Sequence, residues 1–137
     1  MDLKDASLKL TRALPASTSA VTSTALDTGK TTSLGAQPGE VEFLISAPAV
    51  SLAALPDTKT MTYALVQSSA ADLSGATVLF DNLIIQTGAT GTDPAVAATK
   101  RLRLPSDALR YIGLRITPSA SGTGDASGVS ATLEPLF

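Results

Sequence analysis

Carboxylates and hydroxyls are the main reactive groups this chain offers, because its 137 residues include no His, Cys or Trp. Thiolate nucleophiles, disulfides, Cys/His zinc sites and imidazole acid–base catalysis are thereby excluded. Asp27-Thr28-Gly29 holds the most chemical promise. Two such carboxylates held close would share a proton, since both cannot ionise together, and the pair would activate a water. The alternative is a turn at a strand end, in which Asp bonds its own backbone and Gly supplies a positive φ. Gly29-Lys30-Thr31 has the ending of a phosphate-binding loop, but the full pattern needs Gly at position 24, which is Thr. Asp93, Asp107 and Asp125 lie in loops within reach of Ca²⁺ chemistry, yet no EF-hand or Gly-Asp repeat spacing accompanies them. Solvated turn carboxylates are the simpler reading. Serines are plentiful, but without His no conventional triad can be built. The expectation is a chain without catalytic residues, cofactor or metal.

The remaining chemistry is that of contact. Lys100, Arg101, Arg103, Arg110 and Arg115 are half of the 10 basic residues and fall within sixteen positions. They read either as solvated strand faces that discourage edge aggregation or as an arginine-rich docking surface for an acidic partner. The chain ends Leu133-Glu134-Pro135-Leu136-Phe137, a tail that either tucks under the fold or buries itself in a neighbour. At the other end Leu3, Leu8, Leu10 and Arg12 mark a segment suited to lie on a partner. Leu3, Leu8, Leu10, Arg12, Arg101, Arg103, Leu136 and Phe137 are therefore the candidate interface residues.

The elements that must position these groups read as strands. Val41, Phe43 and Ile45 alternate with Glu42, Leu44 and Ser46, and Met61, Tyr63 and Leu65 with Thr60, Thr62, Ala64 and Val66. Thr77-Val78-Leu79-Phe80 leads to Leu83-Ile84-Ile85, with Asp81-Asn82 between them as a bulge or turn. Leu102 and Leu104 face away from Arg101 and Arg103. Ile112, Leu114 and Ile116 share one face, with Tyr111, Gly113 and Arg115 on the other, and Val129, Ala131 and Leu133 close the series. Gly, Pro, Ser and Asp clusters separate the runs. Short strands punctuated in this way predict an all-β fold, an antiparallel jelly-roll-like β-sandwich over residues 23–137. Residues 1–22 read as an extended N-terminal arm or edge strand. Within them, Asp5 to Leu14 fits either a helical turn or an extended run.

Only 16% of the chain is charged and the net charge is −2. A protein that neutralises many phosphates needs a basic surplus, so nucleic acid is not an expected partner, and a polybasic membrane role fails for the same reason. No apolar run approaches the roughly 18 residues that span a bilayer. Met1-Asp2-Leu3-Lys4-Asp5 carries no apolar segment of a signal peptide. Synthesis in a cytoplasm is expected.

Two resemblances follow. Asp27-Thr28-Gly29, with Tyr111-Ile112-Gly113 further on, resembles retroviral-type aspartic proteases, small all-β homodimers with one Asp per subunit. Their Gly-rich flap would fall here on Val50-Ser51-Leu52-Ala53-Ala54, which has no Gly. Over nearly the whole length, the chain is similar to tailed-bacteriophage capsid cement proteins of the Bordetella-phage type. Ala20-Val21-Thr22-Ser23-Thr24-Ala25-Leu26-Asp27-Thr28-Gly29 resembles their opening segment. Leu104-Pro105 and Arg110-Tyr111-Ile112-Gly113-Leu114-Arg115-Ile116 look like their Leu-Pro turn and Arg-Tyr strand, and Gly128-Val129-Ser130-Ala131-Thr132-Leu133 like their closing strand. Gly113 departs from that pattern, where a larger residue is usual. This second resemblance implies a homo-dimer or homo-trimer on the outer surface of a virion, where it would bridge subunits of the major capsid protein and stabilise the head. In that setting Arg110 would pair with an acidic turn such as Asp107. The alternative is a carbohydrate- or protein-binding sandwich of a phage tail or host-attachment structure, drawing on Phe43, Tyr63, Phe80, Tyr111 and Phe137.

Overall fold

The computed structural model describes residues 9–28, 42–88, 94–105, 107–119 and 121–136. Among them the chain forms nine strands and no helix: β1 (Leu10–Ala13), β2 (Val21–Thr22), β3 (Leu26–Asp27), β4 (Glu42–Ala47), β5 (Thr60–Ser68), β6 (Thr77–Thr87), β7 (Ala98–Arg103), β8 (Tyr111–Pro118) and β9 (Ser130–Leu136). They build two antiparallel sheets, one ordered β1-β9-β4-β7 and the other β2-β8-β5-β6, with β3 also on β8. β2 and β3 meet the two ends of β8 and act as one broken strand. With that pair counted once, the pairings are nested: first with last, second with seventh, third with sixth, and the β5–β6 hairpin innermost. Apart from that hairpin, each connection crosses from one sheet to the other.

The core lies between the sheets and follows the alternation of the sequence. Ile45, Met61, Tyr63, Leu65, Ile112, Leu114, Ile116, Ala131 and Leu133 are all fully buried. Each large aliphatic there contributes roughly 1.5–3 kcal/mol by leaving water. Phe43 joins them from β4, whose Glu42, Leu44 and Ser46 point outward. In the segment set apart as an arm or edge strand, β1 is an edge of the first sheet and extended rather than helical. Leu10 and Leu14 enter the core cluster, and Leu14 donates its N–H to the Val129 carbonyl (3.0 Å).

Two expectations need correction. Ala64 and Val66 do not face solvent opposite Tyr63 and Leu65; both are buried, on the outer side of the sheet. The connection between β5 and β6 folds back there. Ser68 Oγ donates to the Ser74 carbonyl (2.7 Å), and Leu73, at φ 60°, reaches over β8. A Cβ on Gly113 would stand 2.6 Å from Leu73 Cδ1, so the missing side chain at 113 makes the space that Leu73 fills. Val129 is not buried with Ala131 and Leu133; it precedes β9 and is exposed at the end of that ladder, where its carbonyl accepts the Leu14 N–H and its own N–H closes a turn on the Ala126 carbonyl (3.2 Å). The Asp81-Asn82 step is a bulge inside one continuous strand. Register runs from Tyr63↔Ile84 to Leu65↔Phe80, so Asp81, Asn82 and Leu83 stand opposite Ala64 alone. Asn82 takes φ 53°, which Asn tolerates better than most residues.

A single buried polar side chain ties the two sheets together at one end. Gln86, on β6, accepts the Tyr63 hydroxyl at Oε1 (2.6 Å) and donates from Nε2 to the carbonyls of Pro48 (2.7 Å) and Val96 (3.0 Å). Pro48 follows β4 and Val96 precedes β7, so one amide joins the hairpin sheet to the segments flanking two strands of the other.

Candidate functional site

The outer face of the four-stranded sheet is built in rows by its register. Arg103, Glu42 and Leu136 form one row across β7, β4 and β9, and Arg101, Leu44 and Glu134 form the next. The Arg103 Nε lies 3.5 Å from Glu42 Oε1, and Lys9 Nζ lies 3.9 Å from Glu134 Oε2. A third row, Thr99, Ser46, Thr132 and Thr11, presents hydroxyls across all four strands. Two half-buried leucines thus sit inside a rim of arginines and carboxylates, an arrangement with the anatomy of a small protein–protein contact: an apolar centre and a polar edge.

Of the candidate interface residues, Arg101, Arg103 and Leu136 are brought together on this face. Leu10 and Arg12 face the other way, towards the interior: Leu10 is buried, and the Arg12 Nε is buried without a hydrogen-bond partner. Leu3, Leu8 and Phe137 lie outside the described residues. Leu44 and Glu134, which complete the face, escaped the sequence reading. The signal for both was phase, since Leu44 is out of step with Phe43 and Ile45, and Glu134 with Leu133.

A second cluster joins two segments 83 residues apart. Antiparallel pairing sets Asp27 opposite Tyr111. The guanidinium of Arg110 then reaches Asp27 as a fork, Nε to Oδ1 and NH2 to Oδ2, each at 2.8 Å. It also lies 5.3 Å from the centre of the Tyr111 ring. The Arg110 carbonyl accepts both the N–H (2.9 Å) and the hydroxyl (2.7 Å) of Thr28. The hydrogen bonds and the charge of Asp27 raise the Arg110 pKa above its ordinary value. Arg110 therefore pairs with Asp27 and not with Asp107, because strand register, rather than nearness in sequence, decides its neighbour. Both carboxylate oxygens accept from the fork, a geometry that clasps β3 to β8 and leaves the carboxylate poorly placed to share a proton with a second Asp.

The other candidates do not assemble a site. Asp125 Oδ1 accepts from the N–H (2.9 Å) and hydroxyl (2.6 Å) of Ser127, which hold its pKa below the usual carboxylate value. Asp107 is exposed. Asp93 and Gly29-Lys30-Thr31 lie outside the described residues. No group of three acidic side chains converges among the described residues. A shallow depression of about 100 Å³, lined by Val50, Ser51, Ala54, Asp125, Ala126, Gly128 and Val129, is smaller than the roughly 300–1,000 Å³ of ordinary ligand pockets. Among the described residues no helix is long and apolar enough to cross a membrane.

Fold and site together describe an all-β sandwich with a charged, leucine-centred sheet face. No family model, curated protein or solved structure matches this chain.

Proposed function

We propose that this chain is a non-enzymatic virion protein, a jelly roll that decorates an icosahedral head and stabilises it by bridging subunits of the major capsid protein. The observation that carries the reading is the nested strand order, β1-β9-β4-β7 against β2/β3-β8-β5-β6. That order supports a jelly-roll reading of the sandwich, an architecture common among viral shell proteins and lectins. The sheet face of Leu44 and Leu136, rimmed by Arg101, Arg103, Glu42 and Glu134, adds a surface suited to contact. Many modest copies of such a contact would act through symmetry and avidity. Binding only the mature lattice would stabilise that lattice by linkage.

The sugar-binding alternative has less to work with. Phe43 and Tyr63 are buried, and the Arg110 guanidinium lies over the Tyr111 ring, so among the described residues few aromatic faces remain to stack on a sugar. Heads lacking the protein are the test. Mixed with the purified chain, expanded heads should retain it through sedimentation and resist heat better. Heads that neither bind nor gain resistance exclude the proposal, and clear hits on a glycan array would favour the alternative.

A further inference from the structure

An open sandwich leaves a strand with unpaired backbone groups at each side of each sheet, a template on which another chain can add. Among the described residues, the four-stranded sheet ends in β1 and β7. On β1, Arg12 is opposite Ala131; on β7, Lys100 is opposite Ile45. Directly opposed residues of an antiparallel ladder project from the same face. Ala131 and Ile45 are fully buried between the sheets, so Arg12 and Lys100 both stand on the core side of their strands. Their neighbours on that side are apolar: Leu10 and Leu14 flank Arg12, and Ala98 and Leu102 flank Lys100. An all-apolar alternation is thus interrupted once on each edge strand by a cation.

Among the described residues, neither charge has a partner that would explain its position by packing. The Arg12 Nε is buried and unpaired, which costs the monomer stability. Of the outward cations of β7, Arg103 approaches Glu42 at 3.5 Å. The edges of the second sheet are interrupted by other means. β6 carries the Asp81-Asn82-Leu83 bulge, and β2 and β3 are two-residue pieces separated at residues 23–25.

We propose that Arg12 and Lys100 close both edges of the four-stranded sheet to strand addition by a second copy of this chain. A strand laid beside β1 or β7 would seal the inward cation from water with no acceptor in reach, and desolvation of that charge opposes the pairing. Contacts between copies, or with any partner, are then left to sheet faces and loops. This inference is independent of the shell reading.

The test replaces the inward pair, Arg12→Val with Lys100→Val, and compares it with an outward control, Lys59→Val with Arg115→Val, which removes the same charge away from the four-stranded sheet and its contact face. Light scattering over a concentration series should show the inward double variant rising to about twofold or more of the wild-type mass. Amide exchange should slow at residues of β1 and β7, while the outward control keeps the wild-type mass. Lys100→Val alone, at an exposed position, should show the same trend and keeps the test readable if Arg12→Val unfolds the chain. A wild-type mass for the Lys100→Val and double variants, equal association of the outward control, or protection confined to loops would each overturn the proposal.

Discussion

The two sheets treat their outer faces differently. On β4 every second residue is buried, and the outward set, Glu42, Leu44 and Ser46, stays partly exposed. On β5 and β8 the alternation collapses midway, because Ala64, Val66 and Gly113 are buried on the side away from the core. The difference comes from a loop and not from the strands. The β5–β6 connection, held by Ser68 and by the positive φ of Leu73, lays one leucine across the outer face of the five-stranded sheet. The four-stranded sheet has no such cover among the described residues, and its face keeps charged rows.

If the roof over the five-stranded sheet is a lesser packing layer, truncations should rank by face. Leu65→Ala, in the core, should cost about 2–5 kcal/mol. Its neighbour Val66→Ala, under the roof, should cost about 1–2 kcal/mol, and Leu44→Ala on the open face less than about 1 kcal/mol. Urea unfolding of the three variants checks the order, and a Val66 cost equal to that of Leu65 would make the roof part of the core. The link between the sheets is tested by Gln86→Leu. It strands the Tyr63 hydroxyl and the carbonyls of Pro48 and Val96, and should cost about 2–4 kcal/mol despite the added apolar surface.

A pH series reads the same link from its other end. Burial pushes the Tyr63 phenol above its ordinary value of 10.0. The unfolded chain therefore loses that proton first as pH rises. Stability from this group is complete below pH 10 and falls above it, by about 1.4 kcal/mol per pH unit. Tyr63→Phe should remove this component of the alkaline slope. The smallest effect concerns the turn before β5. Lys59 donates to the Pro56 carbonyl (3.0 Å) across a turn whose third residue, Thr58, holds φ 68°. A β-branched residue is strained there, so Thr58→Gly should stabilise by about 0.5–1 kcal/mol, seen as a raised unfolding midpoint.

Much of the fold was legible because a half-buried strand writes a period of two into the chain. The runs around Phe43, Met61, Ile84, Leu102, Ile112 and Leu133 all became strands at or near those positions. What failed did so where a long-range event overrode the local pattern. Val66 looked outward until Leu73 was laid over its side of the sheet beside Gly113, and Arg110 looked towards Asp107 until β3 paired with β8. Of the contact face, Arg101, Arg103 and Leu136 were visible by type and position, while Leu44 and Glu134 were not. Their role depends on which strands stand side by side.

By itself the sequence determined a chemistry without imidazole, thiol or indole, an all-β chain, and the inward set of most strands. These follow from composition and from the fixed alternation of side chains along a pleated backbone. The tertiary structure decided the nesting of the strands, the union of Asp27 with Arg110, the amide bridge of Gln86 and the inward placement of Arg12 and Lys100. Each of those depends on register between segments distant in sequence. Register is set by collective burial across a whole sheet, and a shift of one residue would exchange its two faces.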